Sequence, residues 1–181
     1  IFAKGYAADP KNMEMANFLG ICYCELGDFQ KGLVIFNEIA SQDNPKYAED
    51  VVKAKENIKL YTNNRIAKLQ GENDFDGIIA VADEMLAVNP QDALAQKIRL
   101  QALFDKKDYA GVIASAEEAA AGQTDEEERS DVYFILGAAY NARTMPQQAI
   151  DALSKVTAGA NVAAAQKTVA QLKENAAKAN S

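Results

Sequence analysis

Apolar residues recur along this chain at intervals of three and four, so most of its length reads as helices that each bury one stripe. The pattern predicts helices near 1–8, 13–26, 29–42, 46–70, 75–88, 91–105, 108–121, 127–142, 146–157 and 161–178. Polar turns separate them, and several starts carry capping signals. Asn89 precedes Pro90, which places proline in a first helical turn, where its missing N–H is harmless. Thr124 with Glu127, and Thr144 with Gln147, have the spacing of capping boxes. Glu126, Glu127 and Glu128 stand in a first turn, where the helix dipole favours acids. The last helix has a thin stripe of Val162, Ala165, Val169 and Leu172, as a solvent-facing cap on a stack does.

The pattern also repeats. "LGDFQKGLVIFNEIA" from Leu26 returns as "ENDFDGIIAVADEMLAVNP" from Glu72, as "KKDYAGVIASAEEAA" from Lys106, and as "RTMPQQAIDALSKV" from Arg143. Each is a polar turn, an aromatic or proline anchor, and a helical stripe. The anchors Phe29, Phe75, Tyr109 and Pro146 are spaced by 46, 34 and 37 residues, the range of helical solenoids. The helices ahead of two anchors share a further detail. Leu19-Gly20 is followed by Tyr23, and Leu136-Gly137 by Tyr140. A glycine inside a helix costs about 1 kcal/mol against alanine, so its recurrence marks a close approach by a facing helix. The long first interval leaves about twelve extra residues in "NPKYAEDVVKAKENIKLYTNN", as a longer helix or one broken near Asn63-Asn64. "IFAKGYAADPKN" reads as the end of a second helix stopped at Asp9-Pro10, so the chain is expected to open midway through a helical pair.

Composition narrows the function classes. The chain has 181 residues, 49% apolar and 25% charged, which suits one folded domain. A net charge of −7 with no lysine–arginine cluster disfavours nucleic acid and anionic membrane as partners. No apolar run approaches the roughly 18 residues that span a bilayer. The sequence assigns no compartment. There is no histidine, so the usual neutral-pH base is missing and serine–histidine or cysteine–histidine catalysis is excluded within the chain. The two cysteines, Cys22 and Cys24, lie two apart on one helix and point roughly 200° apart, which is poor geometry for a disulfide. Cys22 reads as a small packing residue and Cys24 as a candidate for a groove. Acid pairs such as Asp74 and Asp76, or Glu117 and Glu118, read as solvated turns and helix faces. No cofactor, metal site or catalytic residue is expected.

These motifs resemble the tetratricopeptide repeat family. Leu19, Gly20, Tyr23, Gly27, Phe29, Gly32 and Phe36 take its packing places in a first full repeat, and Tyr133, Leu136, Gly137, Tyr140, Pro146, Ala149 and Leu153 do so in a fourth. Phe75, Ala82 and Pro90 match in the second, and Tyr109 and Ala119 in the third; Phe2 and Pro10 match the tail of a preceding one. The resemblance implies an all-α fold, a right-handed superhelical solenoid of antiparallel helix pairs. It divides one domain of 1–181 into a partial repeat at 1–12, repeats at about 13–44, 57–92, 93–126 and 127–159, and a capping helix at 161–178.

In this family the concave groove is lined mainly by first helices. By resemblance, the groove positions are Glu14, Asn17, Ile21, Cys24 and Glu25, then Leu94, Lys97, Gln101 and Phe104, then Asp131, Phe134, Ala138 and Asn141. Some relatives grip a peptide carboxylate there. Ile21 stands where such a clamp wants asparagine, and the neighbouring acids repel a carboxylate. Phe104 and Phe134 are candidates either to receive an apolar side chain or to pack between helices. The expected function is a non-catalytic scaffold for a protein or peptide, neutral or basic, with no nucleic acid and no membrane insertion. Pairing of copies through exposed end helices stays open. The alternatives are a structural spacer within a longer chain and, least favoured, an enzyme built on a carboxylate pair.

Overall fold

A computed structural model describes residues 12–179, and every element among them is helical. The helices are α1 (Met13–Glu25), α2 (Phe29–Ala40), α3 (Ala48–Gly71), α4 (Phe75–Val88), α5 (Ala93–Asp105), α6 (Tyr109–Gly122), α7 (Glu126–Ala142), α8 (Pro146–Leu153) and α9 (Val162–Ala179). A short 3-10 turn, Pro45–Tyr47, leads into α3. The helix expected at 1–8, with Phe2 and Pro10, lies outside the described residues.

The repeated turns have one shared construction. Gly27, Asn73, Lys107 and Thr144 all adopt positive φ, at 84°, 54°, 67° and 56°. This left-handed residue ends the first helix of each pair. In three turns an aspartate follows and caps the second helix: Asp28 accepts the Lys31 N–H at 3.3 Å, Asp74 that of Gly77 at 2.8 Å, and Asp108 that of Gly111 at 2.9 Å. In the fourth turn Met145 holds the cap position without a side-chain bond, and Pro146 opens the helix. The repeated "DF" and "DY" pairs are therefore a cap followed by a core anchor.

Several local expectations need correction. Asp125, not Thr124, caps α7, accepting the N–H groups of Glu127 and Glu128 at 2.9 and 3.0 Å. Thr144 is no cap either; it is the left-handed residue of its turn. Pro90 lies in a turn, and α5 starts at Ala93 with Asp92 as its cap, accepting the Ala95 N–H at 3.0 Å. Helix α8 stops at Leu153, short of the expected 157, because the Ser130 hydroxyl of α7 accepts the N–H groups of Thr157 and Ala158, each at 3.2 Å. Asn63-Asn64 breaks nothing: α3 runs unbroken for 24 residues.

Packing divides the chain into two compact units, one ending at Pro90 and the next beginning at Gln91. In the first, α1 and α2 run antiparallel, since Gly20 meets Phe36 while Cys24 meets Gly32. Helices α3 and α4 are antiparallel too, with Arg65 bonded to Glu84 at 2.7 Å and Leu69 against Gly77. By contrast α1 and α3 run parallel: Asn17 donates to the Asp50 carbonyl at 3.1 Å, and Tyr61 to the Glu25 carboxylate at 2.6 Å. The core here holds Leu33, Phe36, Ile39, Val81 and Met85. Phe36 stacks on Tyr61 at 6.4 Å, and the Arg65 guanidinium lies 4.2 Å from the centre of the Phe29 ring.

In the second unit α5 and α6 are antiparallel, tied by Gln123 donating to the Ala93 carbonyl at 2.9 Å and by Leu103 against Gly111. Helices α7 and α8 are antiparallel around Gly137, whose Cα faces Leu153. Leu153, Val156 and Ala165 form a cluster on which Tyr133, Phe134, Val162 and Val169 pack, so the α9 stripe seats that helix on α8 and α7. Within each unit the helices thus meet in chain order.

Candidate functional site

Because α1 and α3 run side by side in one direction, a furrow lies between them. At its N-terminal end Glu14, Asn17, Phe18 and Ile21 of α1 face Lys53, Glu56 and Asn57 of α3 across a cavity of about 200 Å³. Helical spacing explains the set: 14, 17/18 and 21 repeat on one side of α1, and 53 with 56/57 on one side of α3. Glu14, Asn17 and Ile21 are thus brought together. Phe18, 45% exposed, is the largest apolar side chain on the rim, and Leu60 of α3 is also exposed.

The floor carries an unusual group. Asn17 is 5% exposed, its Nδ2 is bonded to the Asp50 carbonyl, and its Oδ1 is enclosed with no donor among the described residues. A buried acceptor left without a donor costs roughly 1–3 kcal/mol. On the rim, Lys53 is held by Glu49 of its own helix at 2.8 Å, while Glu14 and Glu56 have no ion pair among the described residues.

Cys24 faces elsewhere. Its Sγ fills the space beside Gly32, and burial first, then the neighbouring Glu25 carboxylate, pushes its pKa up to about 11. Such a thiol is largely protonated near neutrality and a poor nucleophile. The hydroxyl of Tyr61 is pushed up to about 12 by burial, then by its hydrogen bond to Glu25. Glu25 therefore serves as an acceptor for Tyr61 rather than as a free carboxylate.

The groove positions of the second unit are engaged in holding helices together. Lys97 binds both Glu128 and Asp131, joining α5 to α7. Burial disfavours its ammonium, but those two carboxylates outweigh burial and raise its pKa. Asp131 also accepts from Asn161 at 2.9 Å. Gln101 donates to Asp105 within α5 at 2.9 Å. Phe104 tilts onto Tyr109 at 5.5 Å, and Phe134 packs on the Leu153–Val156–Ala165 cluster. Leu94 and Ala138 are half-buried, and Asn141 is exposed. A second cavity, about 550 Å³, lies between Val156 and the Val162–Lys173 side of α9.

Among the described residues no three potential ligands converge to hold a metal ion, and no helix is long and apolar enough to cross a membrane. No protein-family model matches the sequence, and no curated protein matches it significantly. The tetratricopeptide likeness therefore rests on the motifs themselves.

Phe18, Lys53, Glu56 and Asn57 were not singled out in the sequence as site residues. Helix α1 is apolar on more than one side, so its pattern alone does not separate the furrow side from the core side. The three α3 residues fall in the irregular long interval, where repeat spacing gives no register.

Proposed function

We propose that this chain is a helical-repeat scaffold of the tetratricopeptide kind, a right-handed solenoid of antiparallel pairs, that docks a protein or peptide without catalysis. The docking face is the α1–α3 furrow. One observation carries this reading: three groove positions implied by the resemblance, Glu14, Asn17 and Ile21, line a single cavity rimmed by a partly exposed Phe18. At about 200 Å³ the cavity is smaller than typical small-molecule sites. It suits a side chain or two of a partner segment.

A structural role is favoured for the first-helix face of the second unit. Lys97, Asp131, Phe104 and Phe134 are engaged there in ion pairs, ring contacts and packing, which leaves little side-chain chemistry for a partner.

A photo-crosslinking amino acid at position 21 tests the docking reading against the same probe at position 34, an exposed valine on α2. A partner captured from position 21 in native extract, and not from 34, is the expected result. Identical captures from both positions would refute a docking face on α1.

A further inference from the structure

We infer that the groove takes a basic peptide segment, anchored by a donor N–H on the Asn17 Oδ1; this rests on the docking reading above. The carboxamide cannot be turned around to remove its orphan acceptor. Flipping it would aim oxygen at the Asp50 carbonyl oxygen, now bonded to Nδ2 at 3.1 Å, and leave the amide nitrogen enclosed instead. The orientation is therefore fixed by Asp50, and the enclosed oxygen asks for a donor from outside the helix pair.

The surroundings define what else the donor carries. Glu14 and Glu56 stand on opposite walls, one from each helix, and neither forms an ion pair among the described residues, although the Lys53 ammonium stands near enough to Glu14 to feel its charge. Lys53 does not reverse that sign: its one ammonium is paired with Glu49 and also faces Asp50 and Glu14, so the acids around it outnumber it. A carboxylate is repelled here, and a lysine or arginine is attracted to both walls. Phe18 and Ile21 supply apolar contact for a neighbouring side chain. The fitting occupant is thus a short segment with a basic residue beside an apolar one, a backbone N–H of which meets Oδ1. Since Oδ1 is closed to bulk water, entry includes a side-chain displacement. Phe18 and Lys53, one from each helix, are exposed members of the lining, as are Glu14 and Glu56, and it is such rim side chains that would give way.

The test uses the full chain and three capped pentapeptides: alternating leucine and lysine, alternating leucine and glutamate, and the lysine peptide with every backbone nitrogen methylated. Binding is followed by the NMR resonances of the Asn17 side-chain amide. The lysine peptide is expected to shift them and to bind about tenfold or more tightly than the glutamate peptide. Glu14→Gln with Glu56→Gln, both at exposed positions, should erase that preference. Methylation should abolish the Asn17 shift. Equal or tighter binding of the glutamate peptide, an undiminished Asn17 shift with the methylated peptide, or no Asn17 shift with the lysine peptide would each overturn the inference. If the crosslink from position 21 still captures a partner in that event, the docking reading survives and this occupant does not.

Discussion

Gly20 is a point of close approach between α1 and α2, and replacing it tests whether the recurrent glycine is a packing device. An added Cβ would lie 2.5 Å from Phe36 Cε1 and 2.9 Å from Cδ1 and Cζ. Carbon atoms prefer about 3.5–4.0 Å, so the ring must move by roughly an ångström. It has nowhere to go: Phe36 is 0% exposed and stacks on Tyr61. Overpacking of this kind costs about 1–3 kcal/mol. Alanine in place of a helical glycine returns about 1 kcal/mol through backbone entropy. Gly20→Ala should therefore lose about 1 kcal/mol net, a fall of roughly several tenths molar in urea midpoint by far-UV circular dichroism. Gly71→Ala is the control. It ends α3 and has nothing within 4 Å of an added Cβ, so it keeps the propensity gain without the clash. The two substitutions should move the midpoint in opposite directions. Adding Phe36→Leu to Gly20→Ala should cost less than the sum of the separate changes. If Gly20→Ala is as stable as the parent, or the pair is simply additive, the close-approach argument is wrong.

The other predictions concern the turns and the alkaline range. Met145→Asp, which installs the cap the other three turns possess, should raise stability by about 1 kcal/mol, read as a higher urea midpoint. Lys107→Gly should stabilise by up to about 1 kcal/mol because Lys107 sits at φ 67°, whereas Gly27→Ala, at φ 84°, should destabilise. Cys24 and Tyr61 both have raised pKa values when folded, about 11 and about 12 against 9.0 and 10.0. Between pH 9 and 12 the unfolded chain thus sheds protons the folded chain keeps, and stability should fall as pH rises through that window. Tyr61→Phe should flatten the upper part of that fall. In a Cys22→Ser background, the remaining thiol should react with a disulfide reagent far more slowly at pH 8 than an ordinary cysteine does, with the rate climbing towards pH 11.

The helices were legible because their signals are local. Apolar spacing, the aspartate before each aromatic and the glycine of "LGDF" act within a few residues, and they placed the starts of α2 and α4 at Phe29 and Phe75. The errors arose where a distant group decides. Helix α8 ends early because Ser130, over twenty residues away, takes the N–H groups at 157 and 158. At α7 two adjacent residues could both cap, and backbone geometry put Asp125 within reach. The furrow was half legible. Glu14, Asn17 and Ile21 lie on a regular helix in register with the motif, whereas Lys97 and Asp131 satisfy each other across two helices, a pairing that spacing does not reveal. The orphan oxygen of Asn17 was beyond reach, because it depends on which carbonyl its amide finds on α3.

That dependence links the irregular interval to the candidate site. Helix α3 has 24 residues against 13 in α1 and 13 in α5. Its N-terminal half runs beside α1, with Asp50 at Asn17 and Tyr61 at Glu25, and its C-terminal half runs beside α4, with Arg65 at Glu84 and Leu69 at Gly77. A helix near 13 residues long could not serve both neighbours over such lengths at a rise of about 1.5 Å per residue. The extra length lets one helix form the outer wall of the furrow and still pair with α4. It also fixes Asn17, since Asp50 near the start of α3 takes the amide hydrogen and leaves the oxygen over. The departure from the regular repeat is therefore what supplies Lys53, Glu56 and Asn57 to the groove. Shortening α3 from its N-terminal end should remove the site while leaving the α3–α4 pairing in place.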